Sequence, residues 1–302
     1  MENRIVWGMD IGGTKSALCA ADVSGRILCR HQLATQEYSW ESLLEALSAW
    51  GLANAPAPCA VGVSCGGPLD SRTGMILSPP NLPGWDEVPV VEWLTKRLGV
   101  PAFLQNDANA CALAEWMYGA GKGTQNMAFL TFGTGLGAGL ILNGKLYEGA
   151  NGMAGEIGHI RMRADGPVGY GKAGSLEGFC SGGGLEQLAK QMTGKPLSAQ
   201  QLCELADRGD AKAIQVLTLS AHMLGAGLSI LIDILNPERI VIGSIFTRAE
   251  RWFREGMEQI IAQEALNLSR SVCQVVPAVL GDSIGDVASI TVAWNGLKEA
   301  EA

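Results

Sequence analysis

At 302 residues, with 47% hydrophobic and 17% charged, the chain has room for two domains and is too apolar to be intrinsically disordered. Its formal net charge of −8 argues against a nucleic acid or an anionic membrane as partner, since either rewards a basic face. A phosphorylated nucleotide stays open, because backbone N–H groups and a divalent ion can neutralise it locally.

In chain order, Ile5–Met9 reads as a short apolar strand running into Asp10-Ile11-Gly12-Gly13-Thr14-Lys15. A second strand, Ser16–Asp22, turns at Ser24-Gly25 and returns as Arg26–Leu33, a hairpin pattern. Helical spacing follows over Trp40–Leu52, then a buried strand, Ala60–Ser64, ahead of Cys65-Gly66-Gly67-Pro68. The Pro/Gly-rich loop Ser78–Trp85 precedes a helix over Val90–Leu98. Strand Ala102–Gln105 then ends in Asn106-Asp107, directly before a helix over Ala108–Tyr118.

The opening pattern then recurs. Strand Met127–Phe132, the turn Gly133-Thr134-Gly135, strand Leu136–Leu142, the turn Asn143-Gly144 and strand Lys145–Tyr147 repeat the order of residues 5–33, a weak internal duplication. A Gly-rich region (Gly149–Gly184) leads into a helical stretch to about Leu235 and a strand at Arg239–Ile242. A helix over Arg251–Ala265, a strand at Cys273–Ala278 and a helix from about Gly285 complete the chain. Alternating strands and helices predict an α/β protein, with ligands beyond the carboxyl ends of its strands. Asp10, Gly66, Asp107, Gly133 and Gly243 all stand just past such ends, which predicts one active cleft.

The eight cysteines show no C-x-x-C spacing, so buried reduced thiols in a reducing cytosol are expected rather than zinc or disulfides. Met1–Arg4 offers no apolar signal core. The longest apolar stretch, around Met223–Leu235, contains Asp233 and is shorter than the ~20 residues that span a bilayer. A soluble, cytoplasmic protein is expected.

Asp10–Lys15 sets two glycines where backbone must approach a ligand or turn, and Thr14 adds a hydroxyl; phosphate oxygens suit such a turn. Gly8 and Gly13 have P-loop separation. However, Thr14-Lys15 reverses the Lys-Ser/Thr order, and a hairpin rather than a helix follows, which argues against a P-loop. Gly133-Thr134-Gly135-Leu136-Gly137 is a second candidate cradle; either turn can also be purely structural. Asp107 either caps its helix or accepts the proton of an attacking hydroxyl, with Asn106 beside it. Asn81, Glu156, His159 and Glu177 offer the dense donors and acceptors that a sugar needs. His31 and His222 read as surface or packing residues.

Taken together, these motifs make the chain resemble the ROK family of sugar kinases and sugar-responsive repressors. The likeness rests on Asp10–Lys15, Gly66-Gly67-Pro68, Asn81-Leu82, Asn106-Asp107, Gly133–Gly137, Glu156-Ile157-Gly158-His159, Leu176-Glu177 and Leu280-Gly281-Asp282. The resemblance implies a hexokinase/actin-like (RNase H-like) duplicated two-domain fold with a central cleft. Its smaller domain would span residues 1–107, completed by a terminal helix at about 285–302; its larger domain would span 108–284. It makes Asp107 the base on a sugar hydroxyl, usually the 6-hydroxyl. Gly67, Asn81, Asn106, Asp107, Glu156, His159 and Glu177 become sugar contacts. Asp10, Gly12, Gly13, Thr14, Lys15, Gly133, Thr134, Gly135, Gly137 and Gly243 become nucleotide contacts, with ATP as donor and Mg²⁺ near Asp10.

The chain departs from the family pattern twice. Val168, Tyr170 and Ser175 stand where three zinc-binding cysteines would be, so no structural zinc is expected, and packing is expected to hold that loop. At Ile242-Gly243-Ser244-Ile245 two side chains replace part of a Gly-Gly-Gly run beside the adenine. The expected function is an ATP-dependent hexose kinase, glucokinase-like and commonly a homodimer. The competing readings are an N-acetylhexosamine kinase, such as an N-acetylmannosamine kinase, and a non-catalytic sugar sensor. The chain starts its first strand within a few residues, which leaves no room for the DNA-binding domain of the family's repressors.

Overall fold

The computed structural model describes residues 4–301. In chain order the elements are β1 (Ile5–Ile11), β2 (Lys15–Asp22), β3 (Ile27–Ala34), α1 (Trp40–Asn54), β4 (Val61–Cys65), β5 (Leu69–Asp70), β6 (Met75–Ile76), α2 (Val90–Leu98), β7 (Ala102–Asn106), α3 (Asp107–Tyr118), β8 (Met127–Phe132), β9 (Leu136–Leu142), β10 (Lys145–Tyr147), β11 (Val168–Gly169), β12 (Lys172–Ala173), α4 (Leu176–Phe179), α5 (Gly182–Thr193), α6 (Ala199–Asp207), α7 (Ala211–Leu235), β13 (Arg239–Ser244), α8 (Ile245–Glu264), α9 (Asn267–Val272), β14 (Gln274–Pro277) and α10 (Ile284–Ala300). They form two units. The first holds the chain up to Tyr118, Gly149–Gly152 and the segment from Asp282 onward; the second holds Gly119–Glu148 and Met153–Gly281.

The first unit is built on a five-stranded sheet in the order β3-β2-β1-β4-β7. Strands β1 and β4 are buried along most of their length, as their unbroken apolar sequences require of strands covered on both faces. Strand β3, at the edge, alternates half-buried and exposed positions. Helix α10 packs across β1 and β4 at glycine contacts. A methyl group on Gly62 would overlap the carbonyl of Ser289 and the N–H of Ala293, and one on Gly8 would overlap the Ser289 hydroxyl. Only glycine lets the helix approach this closely. Because α3 also packs on α10, Asp107–Tyr118 belongs to this first unit and not to the second, where a boundary after Asp107 would put it.

The second unit repeats the plan. Its sheet runs β10-β9-β8-β13-β14, with β8, β9 and β10 antiparallel and β8, β13 and β14 parallel, the same order and directions as in the first sheet. The weak duplication in the sequence is therefore a duplicated sheet. Helix α7 is 25 residues long, and by length and composition it would suffice to cross a membrane, a longer apolar element than the stretch from Met223 suggests. Its Val216, Leu217, Leu224 and Leu228 lie in the core of this unit with Leu188, Phe253 and Met257, so it serves as a core helix. Two further differences concern boundaries. Helix α8 begins at Ile245 rather than Arg251, and the Gly-rich region contains the β11–β12 hairpin, the whole of α4 and the start of α5.

Candidate active site

In the first unit, β7 passes into α3 with no intervening loop, and this junction places Asn106 and Asp107. The helix is capped by Asn106, whose Oδ1 accepts the N–H of Asn109 at 2.8 Å. Gln105 Oε1 braces the corner by accepting the N–H of Asn106 (2.9 Å) and the side-chain N–H of Asn109 (3.1 Å). Asp107 is thus released from capping, and its Oδ1 accepts the adjacent N–H of Ala108 at 2.8 Å, with its own backbone N–H also turned to the carboxylate. The residue as a whole is exposed, although surrounding protein crowds its carboxylate. That desolvation raises its pKa above the ordinary 3.8, against the pull of the Ala108 N–H.

Asp10, at the end of β1, is pushed from 3.8 to about 6, first by burial and then by the charges of Asp286 and Asp107, with Arg30 opposing. Arg30 Nε donates to Asp286 Oδ2 at 2.6 Å, and the Cα of Gly285 fits against the Asp10 carboxylate, where a methyl group would collide. The turn after β1 is closed by the Gly12 N–H on the Lys15 carbonyl (3.1 Å). It is tied down by Thr35, whose hydroxyl donates to the Gly12 carbonyl (2.7 Å). A side chain on Gly13 would overlap the Asn81 backbone, so that glycine is required by close approach of the Asn81 loop. Leu82 and Trp85 sit in the core and pin this loop, leaving Asn81 exposed beside the Asp10–Lys15 turn. Lys15 is exposed, and Gly66 and Gly67 are open where a side chain would project.

In the second unit, the Gly133–Gly137 turn is closed by the Gly133 N–H on the Gly135 carbonyl (3.0 Å). Glu177, from α4, accepts the N–H of Leu136 at 3.0 Å and lies where a side chain on Gly135 would go. One of its oxygens is therefore committed to the turn. The segment carrying Glu156 and His159 is zipped onto β9 by two glycines: side chains on Gly155 and Gly158 would strike the carbonyls of Ala138 and Leu136. Glu156 and His159 stand exposed on it. Gly243 pairs with Thr131 at the end of β13.

The loop expected to be held by packing is packed closely, Gly166 against Phe179 and Gly178 against Pro167, and is held by hydrogen bonds as well. Gln187 accepts the Val168 N–H (2.9 Å) and donates to its carbonyl (2.9 Å). Ser175 caps α4, Arg161 donates to the Ala173 carbonyl, and Lys172 donates to that of His159. Tyr170 is mostly exposed, with its ring edge-on to His159 at 6.1 Å. Among the described residues no group of three or more His, Cys, Asp or Glu side chains converges as a metal cluster. Sequence reasoning missed Arg30, Asp286 and Gly285; the acidic residue in the first turn of the terminal helix was the available signal.

The family model for the ROK family matches residues 6–293. The chain belongs to the ROK family. A relative called glucokinase, from Halalkalibacterium halodurans, is 31% identical over 94% of this chain and 93% of its own. Among solved ROK structures, a hexokinase from Thermus thermophilus superposes with a TM-score of 0.87 at 31% identity, covering 98% of this chain and 99% of that one. A Streptomyces griseus ROK glucokinase, solved in complex with glucose and AMPPNP, gives 0.77 at 30% identity over 97% and 100%. The ROK fold is the hexokinase/actin-like α/β fold, and the duplicated sheets are its signature here.

Proposed function

We propose that the chain is an ATP-dependent hexose kinase, glucokinase-like, in which Asp107 is the catalytic base. The observation that carries this is the division of labour at the start of α3: Asn106 caps the helix, and Asp107 keeps a carboxylate with no ion-pair partner among the described residues. As the sugar oxygen bonds to the terminal phosphorus of ATP and the bond to the bridging oxygen breaks, ADP leaves and the hydroxyl proton passes to Asp107. Asn81, Asn106, Gly67, Glu156, His159 and Glu177 hold the sugar. The turns Asp10–Lys15 and Gly133–Gly137, with Gly243, hold the nucleotide. Asp10 feels the charges of Asp107 and of Asp286, the latter paired with Arg30, and this negative field favours a divalent cation carried in by the nucleotide. Mg²⁺ bound with ATP would neutralise phosphate charge there. The same reading places the protein in the cytoplasm as a homodimer.

Release of ADP across a panel of hexoses, with ATP and Mg²⁺, tests the assignment. Turnover with glucose or a close relative is expected, and activity on N-acetylhexosamines alone would move the substrate class. ADP release with no sugar in the panel, alongside measurable sugar binding, would favour a sensor. Asn106 gives a sharper test. Capping engages one lone pair of Oδ1, and the Nδ2 donor has no hydrogen-bond partner among the described residues, so in this reading Nδ2 is the group offered to the sugar. Asn106→Asp keeps a capping oxygen but turns that donor into an acceptor. The melting temperature is expected to stay within a degree or two, while KM for the sugar rises about 100-fold. Unchanged KM would reduce Asn106 to a cap.

A further inference from the structure

Asn109 is wholly buried in the first turn of α3, beside the buried alanines Ala108, Ala110 and Ala112. Alanine is the better helix former there and asks for no hydrogen bond, so the amide needs another reason. It closes a ring of three hydrogen bonds. Gln105, itself buried, accepts at Oε1 both the Asn106 backbone N–H (2.9 Å) and Asn109 Nδ2 (3.1 Å). The Asn109 backbone N–H returns to Asn106 Oδ1 at 2.8 Å. Because a backbone N–H can only donate, it fixes which end of the Gln105 amide faces the corner, and that oxygen fixes which end of Asn109 faces Gln105. The arrangement has a cost: Asn109 Oδ1 is buried with no hydrogen-bond partner among the described residues.

The ring encloses Asp107 in sequence, with Gln105 and Asn106 before it and Asn109 after, while its carboxylate takes part in none of the three bonds. We propose that Asn109 is a positioning residue, whose buried amide locks Gln105 so that the Asn106–Asp107 peptide holds the Asp107 carboxylate in one orientation toward the sugar hydroxyl. This rests on the reading of Asp107 as the base. Asn109 acts through Gln105 and the backbone. Without Nδ2, the Gln105 amide is held at Oε1 by the Asn106 N–H alone, and the corner loosens. A shift of about 1 Å at a reacting group can cost about 10² in rate. The Asn106 side chain stays tied by the Asn109 backbone N–H, which no substitution at position 109 removes, so ligand binding is spared.

Steady-state kinetics with ATP, Mg²⁺ and the hexose that turns over fastest test the proposal, on Asn109→Ala and Asn109→Ser, each alone and combined with Asp107→Asn. Both side chains are too short to reach Gln105 Oε1, and either one that folds suffices. Each single variant is expected to lower kcat about 30-fold, with KM for ATP and sugar within threefold and a melting temperature above the assay temperature. In the Asp107→Asn background the same substitutions are expected to change kcat by less than twofold, because no base is left to aim. An equal loss of kcat in both backgrounds, or a near-parent kcat in the single variants, would overturn the proposal and reduce Asn109 to a structural amide. Asp107→Asn with a near-parent kcat would instead defeat the reading of Asp107, and this proposal with it.

Discussion

Replacing Asp107 by Asn is expected to lower kcat by about 10²–10⁴, the usual contribution of a general base, while sugar and ATP affinities change little. Asparagine is nearly isosteric, and its side-chain oxygen can still accept the Ala108 N–H, so the start of α3 is retained. What disappears is the acceptor for the hydroxyl proton. The effect belongs in kcat because the proton moves only as the O–P bond forms. If Asp107 were a structural carboxylate stabilising the helix N-terminus, the variant would melt lower and turn over at a near-normal rate; that pattern would assign the base elsewhere.

Asp10→Asn is expected to do two opposite things: stabilise the unliganded protein and abolish its Mg²⁺ response. The carboxyl of Asp10 is raised from 3.8 to about 6, so its stabilising effect is complete below pH 3.8 and is lost as pH rises through 6. Above pH 6 the ionised group is a standing cost of about 3 kcal/mol, first from burial and then from Asp286 and Asp107. Asparagine avoids it. The variant should therefore melt several degrees higher than the parent at pH 7.5, with the gap closing toward pH 4. Added Mg²⁺ should raise the melting temperature of the parent and not of the variant, and kcat/KM with Mg²⁺ and ATP should fall by at least 10². A variant that melts lower at pH 7.5 would show that Asp10 is a favourable structural charge; one with full activity would remove it from the nucleotide site.

Much of this architecture was legible because it is local. Hairpins β1–β3 and β8–β10 announce themselves by short apolar runs punctuated with Gly and Asn turns, and their repetition anticipated two sheets of identical order. The Asn106-Asp107 junction was equally readable, although the choice between cap and base needed the Asn106–Asn109 bond to settle which residue caps. What stayed hidden is non-local or conformational. Arg30 and Asp286 are 256 positions apart and meet only because α10 returns to the first sheet. Gly13 looks like a phosphate turn, yet its lack of a side chain is demanded by Asn81. The start of α8 was missed because Ala249, at φ −120°, kinks the helix after its first turn and leaves too short a segment for periodicity to register. Likewise Gln187 bracing Val168 has no sequence signature.

The most direct test follows the phosphoryl group itself in a single turnover, with enzyme in excess over γ-³²P-labelled ATP and with Mg²⁺ and hexose present. In the parent, label should pass to the sugar within the mixing time or shortly after; in Asp107→Asn it should remain on ATP at least a hundredfold longer although both ligands are bound. Label reaching the sugar equally fast in both proteins, or never reaching any hexose in the parent, would contradict the assignment of Asp107 as the base of a hexose kinase.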